Sequence, residues 1–208
     1  MHISDGVLPI SVTLGTGVAS LAVAAWSVRK TASEDLPKVA VMTSAFFVAS
    51  LINVPLGPTS VHLLIPGLVG ILLGPSAFLA ILIGLLLQSL LFQFGGITAL
   101  GANALMMGLP AVVCGLLFSK LRGKTRKRNA IVGGLIGGGG TLLAASILAL
   151  LLATAGEDFL GVMKLALLAH LPVFVVESLV TGFTVSFLFR VKPELLEQRF
   201  GTPPPTDH

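Results

Sequence analysis

Charged residues are scarce in this chain: Asp, Glu, Lys and Arg make up 11% of its 208 residues, whereas 54% are hydrophobic. Its mean hydropathy of +0.99 lies far outside the range of soluble domains. Several apolar runs approach the ~20 residues that a helix needs to cross a ~30 Å hydrocarbon core. The composition therefore excludes a soluble protein and indicates an integral membrane protein.

Other absences narrow the class further. There is one cysteine, Cys114, which excludes an intramolecular disulfide, and its place inside an apolar run favours a packing role. No Lys or Arg precedes the first apolar run, and Asp5 lies where a signal peptide carries positive charge, so we expect no cleavable signal peptide. We expect Met1 to be retained, because His2 is too large for the enzymes that trim the initiator methionine.

Two catalytic patterns are also missing. The stretch 122–125 reads Arg-Gly-Lys-Thr, like part of a phosphate-binding loop, but Phe118 stands where that motif needs its first glycine. We therefore expect no nucleotide binding. His170 and Glu177 are spaced too widely for the HExxH motif of a metallopeptidase. A multi-pass membrane enzyme and a ligand-free assembly subunit remain the alternative functions.

The hydropathy predicts an all-α protein with about seven membrane spans. The expected spans run from Ile10 to Val28, Val39 to Asn53, His62 to Leu73, Pro75 to Phe92, Leu100 to Ser119, Ala130 to Ala153 and Val162 to Phe189. The third is short and contains Pro66, which indicates a broken or partly re-entrant element. The spans form one predicted transmembrane domain over residues 1–190, followed by a cytoplasmic tail over 191–208.

The basic residues predict the orientation. With the N-terminus outside, twelve of the thirteen Lys and Arg residues fall in inner loops and the tail, leaving Lys164 outside. The positive-inside rule therefore predicts an outer N-terminus and a cytoplasmic C-terminus. In that orientation the N-terminal segment 1–9 and the loop segments 54–62 and 94–103 share the outer face. The basic loop 120–128 would contact anionic lipids of the bilayer.

The first two residues, Met1 and His2, are a candidate metal site. A free α-amine followed by a histidine can bind one ion through the amine, the deprotonated backbone nitrogen of residue 2 and the imidazole Nδ1. Three nitrogens in one plane suit a square-planar ion, which means Ni(II) or Cu(II). The alternative is that His2 is an ordinary residue of a frayed terminus.

A polar turn rich in Pro and Gly ends at His62, at a predicted membrane boundary. His62 is the candidate fourth nitrogen ligand; the alternative is an interfacial residue or one that forms a hydrogen bond at a helix end. Ser60 in the same turn is a candidate for hydrogen bonding around the ligands. Asn103, in a glycine-rich segment, is a candidate to orient a ligand or to cap a helix.

The last predicted span contains two ionisable residues, His170 and Glu177, on one helical face. Ionisable residues inside a membrane are functional candidates by default. We expect His170 to support the metal pocket by a hydrogen bond, and Glu177 to form an ion pair or a polar contact between helices. His208, at the end of a Pro-rich tail, is not expected to take part.

A set of motifs extends along nearly the whole chain. In order they are Met1-His2-Ile3-Ser4-Asp5-Gly6-Val7-Leu8-Pro9, Gly57-Pro58-Thr59-Ser60-Val61-His62-Leu63-Leu64, Leu73-Gly74-Pro75, Gln88-Ser89-Leu90-Leu91-Phe92, Gly95-Gly96-Ile97-Thr98-Ala99-Leu100-Gly101-Ala102-Asn103, Met107-Gly108, and His170-Leu171-Pro172 followed by Glu177 and Thr181-Gly182. Their order and spacing resemble the nickel/cobalt substrate-specificity (S) components of energy-coupling factor transporters, the CbiM/NikM family. Val61, where the family commonly has Gly, and Pro66 depart from that pattern and leave the local backbone path open.

The resemblance implies a transporter subunit rather than an enzyme. Such a protein takes up Ni²⁺ or Co²⁺, the latter for cobalamin, across the prokaryotic cytoplasmic membrane, and needs no cofactor or nucleic acid. The resemblance assigns the metal ligands to the amine of Met1, the backbone nitrogen and imidazole of His2, and His62. It also implies partners: a transmembrane coupling (T) component, a pair of ATPases of the ABC type, and in some systems a small accessory membrane subunit. The choice between nickel and cobalt stays open.

Overall fold

The structure is a computed structural model that describes the backbone of residues 2–51, 53–56 and 59–197, and the same side chains except those of 53–56 and 59–61. Within these ranges the chain forms seven α-helices and one β-hairpin. The helices are α1 Ile10–Lys30, α2 Leu36–Ala49, α3 Pro66–Leu73, α4 Ala77–Phe92, α5 Leu100–Leu121, α6 Arg126–Ala153 and α7 Leu160–Val191; the strands are β1 Asn53–Leu56 and β2 Thr59–His62. The predicted helical membrane fold is confirmed.

Five stretches of the described chain are long and apolar enough to cross a membrane. They are Ile10–Lys30, Pro66–Phe92, Leu100–Leu121, Arg126–Ala153 and Glu157–Val191. The second of these, Pro66–Phe92, contains α3 and α4, which are joined through a short 3₁₀ turn at Gly74–Ser76. The number of crossings and the outer N-terminus stay predictions.

The third predicted span is broken, as its proline indicates. Of this span only residues 66–73 are helical. Pro66 lies in the first turn of α3, where backbone N–H groups form no hydrogen bond within the helix, so the N–H that proline lacks is not needed. At the far end of α3, Pro75 O accepts a hydrogen bond from Ser27 Oγ (2.7 Å), and Ser76 Oγ bonds Thr31 Oγ1 (2.8 Å). The corner between α3 and α4 therefore lies at the C-terminal end of α1, and α4 runs back toward the N-terminal segment of the chain, where Gln88 contacts His2.

The second predicted span ends earlier than expected, because the chain leaves α2 after Ala49 and enters the hairpin at Asn53. The two strands pair antiparallel, with Asn53 opposite His62. The sequence predicted only a turn here. The hairpin places His62 at the end of β2, beside the N-terminal segment.

Candidate metal site

The N-terminal segment folds back onto the bundle and buries His2, whose exposed fraction is 4%. Asn103 on α5 holds this segment by pairing with the backbone of the next residue. Ile3 N–H donates to Asn103 Oδ1 (2.8 Å), and Asn103 Nδ2 donates to Ile3 O (3.0 Å). The Asn103 side chain thus orients the backbone beside His2 and does not cap α5.

A second contact ties the same segment to the start of α5. The Asp5 carboxylate accepts hydrogen bonds from Thr98 Oγ1 (2.6 Å) and from Ala99 N–H (3.0 Å). Burial acts to raise the pKa of Asp5, but these hydrogen bonds outweigh it and hold the pKa below its ordinary value. Asp5 therefore stays ionised near neutral pH, where it fixes the turn that follows His2.

Gly95 allows the loop before α5 to approach the site closely. Its φ is +77°, a conformation that suits glycine. A Cβ atom at this position would lie 2.7 Å from Asn103 Nδ2 and 3.2 Å from His2 Cδ2. The predicted role of the glycine-rich segment, close backbone approach, is therefore seen at Gly95.

His62 and His2 meet at the end of the hairpin. His62 Nε2 lies 3.1 Å from His2 Nδ1, and the ring centroids are 4.6 Å apart. Both rings are buried, His62 with an exposed fraction of 2%. Burial, against a weaker opposing effect of hydrogen bonding, lowers the pKa of each imidazole to about 4. Both rings are therefore neutral near pH 7, the form that binds metal.

The other nitrogen of each ring is held by an acceptor. His2 Nε2 lies 2.8 Å from Gln88 Oε1, and His62 Nδ1 lies 2.9 Å from Leu63 O. Because a carbonyl oxygen only accepts, His2 carries its hydrogen on Nε2 and His62 carries its hydrogen on Nδ1. The atoms that face each other, His2 Nδ1 and His62 Nε2, are then both lone-pair donors to a metal.

A chain of hydrogen bonds fixes the orientation of Gln88 itself. Its Nε2 donates to Ser50 Oγ, and Ser50 Oγ donates in turn to Phe47 O (2.8 Å). The direction of each bond follows from the final carbonyl, which can only accept. Gln88 therefore presents its oxygen, not its nitrogen, to His2. Gln88 and Ser50 were not predicted as site residues, although a glutamine within the apolar sequence of α4 was a visible signal.

The structure does not bring His170 into hydrogen-bond contact with His2 or His62. His170 is buried in α7, its Nδ1 donates to Ala166 O (2.6 Å), and its Nε2 has no hydrogen-bond partner among the described residues. The hydrogen bond that we expected from His170 to the pocket is therefore not seen among the described residues. His170 affects His62 only through its charge, because a positive charge on His170 would lower the pKa of His62 further.

Glu177 forms no ion pair within the described residues. Its Oε1 accepts hydrogen bonds from the backbone N–H groups of Leu64 (2.6 Å) and Ile65 (2.7 Å). Two other predicted site residues, Met1 and the side chain of Ser60, lie outside what the structure describes, as does His208, which is not expected to take part. Within the described residues no three His, Cys, Asp or Glu side chains form a metal cluster.

The chain is similar to known metal transport proteins. Residues 2–195 match the CbiM family, described as "Cobalt uptake substrate-specific transmembrane region". A "Putative metal transport protein" of Haemophilus influenzae is 39% identical over 203 residues, which cover 95% of this chain and 98% of that protein. A "Putative fused nickel transport protein NikMN" of Archaeoglobus fulgidus is 32% identical, covering 96% of this chain and 69% of that protein.

A solved structure has the same fold. A crystal structure described as that of a transition metal transporter superposes with a TM-score of 0.69 at 26% identity, covering 92% of this chain and 93% of that one. The resemblance drawn from the sequence motifs is thereby confirmed.

Proposed function

The chain belongs to the CbiM family of cobalt uptake substrate-specific transmembrane regions, and from that premise we propose that it binds one Ni²⁺ or Co²⁺ ion between His2 and His62. The ion is the transported substrate, not a resident cofactor. Membership of this family supports a role as a transporter subunit rather than as an enzyme.

The observation that carries the proposal is the pair of imidazole nitrogens, His2 Nδ1 and His62 Nε2, 3.1 Å apart. With metal–nitrogen bonds of about 2 Å, neighbouring corners of a square-planar site are about 2.8 Å apart and opposite corners about 4 Å. The observed distance therefore suits neighbouring corners. Both outer ring nitrogens are hydrogen-bonded to carbonyl oxygens, which leaves two lone pairs to share one cation.

The chelate at the N-terminus explains the remaining corners. The amine of Met1 and Nδ1 of His2 take opposite corners, because the backbone nitrogen of His2 lies between them in the chelate. The open corner is then next to Nδ1, and the 3.1 Å between His62 Nε2 and His2 Nδ1 supports His62 as the ligand that fills it. Asn103 and Asp5 support this arrangement by holding residues 3 and 5, which follow His2 closely in the chain.

Four nitrogens in a plane favour Ni(II) over Co(II), and Cu(II) would bind tighter still, so metal availability selects the ion in the cell. Because the chain has no nucleotide-binding motif, transport energy must come from other proteins. We propose that this S component works with a membrane-embedded T component, a pair of cytoplasmic ATPases and, in some assemblies, a small accessory subunit, in a prokaryotic cytoplasmic membrane.

A binding titration tests the proposal. The purified protein with a native N-terminus should bind one Ni²⁺ or Co²⁺ per chain, and His62→Ala should weaken binding severely because it removes one ligand. His208→Ala, which changes an imidazole that is not a proposed ligand, should bind like the unaltered protein. Equal affinity of the unaltered protein and His62→Ala would reject the proposed ligand set. Absence of binding in the unaltered protein would favour a ligand-free assembly subunit.

A further inference from the structure

Glu177 is a fully buried carboxylate in the middle of α7. A buried charge is costly unless it is hydrogen-bonded or paired. Among the described residues its hydrogen-bond partners are two backbone N–H groups, those of Leu64 and Ile65, and both donate to the same oxygen, Oε1. The carboxylate therefore contacts the connection between the hairpin and α3, more than a hundred residues away in the chain.

That connection needs outside hydrogen-bond acceptors. Leu64 and Ile65 follow the last residue of β2 and precede α3, so their N–H groups belong neither to the strand pairing nor to the helix. Ile65 also has a φ of 43°, in the left-handed region that a β-branched residue rarely adopts. The carboxylate satisfies both N–H groups and lies at the positive end of α3. Glu177 thus stabilises a backbone path that the local sequence does not favour.

The same backbone path sets the direction of the His62 ring. His62 is two residues from Leu64, and the carbonyl between them, Leu63 O, accepts the hydrogen bond from His62 Nδ1 (2.9 Å). If the segment 62–65 relaxed, this carbonyl would turn and His62 Nε2 would no longer face His2 Nδ1. The hydrogen bonds to Glu177 therefore help to determine whether His62 Nε2 faces His2 Nδ1.

We propose that Glu177 is a positioning residue for metal binding, which holds the segment 62–65 so that His62 completes the ligand set. This inference rests on the proposed function, because it assigns the effect of Glu177 to His62 as a ligand. It also makes α7 part of the metal site, although α7 supplies no ligand. A displacement of α7 would change metal affinity through the backbone of Leu64 and Ile65.

The packing of α7 against α6 supports this link. Gly137 on α6 lies directly against the turn that contains Glu177: an added Cβ would be 3.1 Å from Glu177 O and 2.6 Å from Thr181 Cβ. The position of Glu177 is therefore fixed by close helix contact that only a very small residue allows. Because the carboxylate is hydrogen-bonded to Leu64 and Ile65, the position of α7 also fixes the connection between the hairpin and α3.

A double-mutant cycle with Ni²⁺ tests the proposal. The dissociation constant is measured for the unaltered protein, Glu177→Ala, His62→Ala and the double variant, all with a native N-terminus. Loss of a residue that orients a metal ligand typically costs about 10- to 100-fold in affinity, so Glu177→Ala should raise the Kd by that factor when His62 is present. In the His62→Ala background, where only the N-terminal chelate remains, Glu177→Ala should change the Kd by less than about 3-fold.

Two further variants control for folding. Thr43→Val removes another buried hydrogen bond, from Thr43 Oγ1 to Ala80 O (3.2 Å), that is not connected to His62, and should leave the Kd unchanged. Glu177→Gln keeps an oxygen acceptor in place of Oε1 and should lose less affinity than Glu177→Ala. If Glu177→Ala does not fold in detergent, the same cycle is measured with Glu177→Gln, and a loss of affinity that requires His62 is expected again.

The outcomes separate this inference from the proposed function. An equal loss of affinity in both backgrounds, or no loss in either, would overturn the positioning role while leaving His62 as a ligand. A His62→Ala variant that binds Ni²⁺ as tightly as the unaltered protein would instead overturn the proposed function itself. A loss of affinity that occurs only when His62 is present supports both the positioning role and the proposed function.

Discussion

Replacement of Gln88 by leucine should weaken metal binding, because Gln88 Oε1 accepts the hydrogen bond from His2 Nε2. Without that acceptor, the metal-free protein can move the ring hydrogen to Nδ1, from which it can donate to His62 Nε2, 3.1 Å away. Metal binding to Nδ1 then forces the hydrogen back to Nε2, where it is buried without a partner. The metal-bound state alone carries this cost.

A buried donor left without an acceptor costs about 1–3 kcal/mol. Since about 1.4 kcal/mol is a factor of ten in affinity, the Kd for Ni²⁺ should rise about 5- to 150-fold in Gln88→Leu. The assay is a competition titration against a chelator of known affinity at pH 7.5, with the thermal unfolding temperature of the metal-free protein measured alongside.

Ser50→Ala is the matched control for Gln88→Leu. It removes the hydroxyl that orients the Gln88 amide but leaves the acceptor for His2 in place, so its Kd should rise by less than about 3-fold. If Gln88→Leu were folded and bound Ni²⁺ as tightly as the unaltered protein, the assignment of the His2 hydrogen to Nε2 would be wrong.

Two further predictions follow from the same contacts. Since burial lowers the pKa of both imidazoles to about 4, binding between pH 5 and 7 should release two protons, from the Met1 amine and the His2 backbone nitrogen. Log Kd should then rise by about two per unit of falling pH; a slope near four in titrations over this range would contradict neutral imidazoles. Gly137→Ala should displace α7 and raise the Kd, whereas Gly139→Ala, whose added Cβ would meet no other helix within 4 Å, should not. Equal titration curves for these two variants would exclude α7 from the metal site.

Hydropathy predicted the helices well, because long apolar runs specify helices in a membrane. It failed at the hairpin, since strands of four residues beside α2 leave no periodic signal and the apolar run extends to Asn53. The predicted break at Pro66 succeeded for a local reason: proline fits the first turn of a helix and disfavours its interior. The helix start at Pro66 was therefore predictable from one residue, whereas the pairing of β1 with β2 was not.

The candidate site was predictable where a ligand has a distinctive side chain. His2 and His62 were identified as histidines at a terminus and a membrane boundary, and the structure places their rings in contact. Gln88 was missed, because its partner is 86 residues away in the chain. Glu177 was predicted to form an ion pair or a polar contact between helices, whereas its partners in the structure are the backbone N–H groups of Leu64 and Ile65. Every residue except proline has such a group. Sequence alone does not show which backbone a buried carboxylate contacts.

The most direct test of the metal site compares the protein that has a free Met1 amine with the same chain acetylated at Met1. The free amine should give one tightly bound Ni²⁺ per chain, a yellow d–d absorption band and no paramagnetic shifts in NMR spectra, as a square-planar four-nitrogen centre requires. Acetylation removes the amine ligand and should abolish tight binding. Equal affinity of the two forms, or an octahedral paramagnetic Ni²⁺ signal in the free-amine form, would contradict the four-nitrogen site.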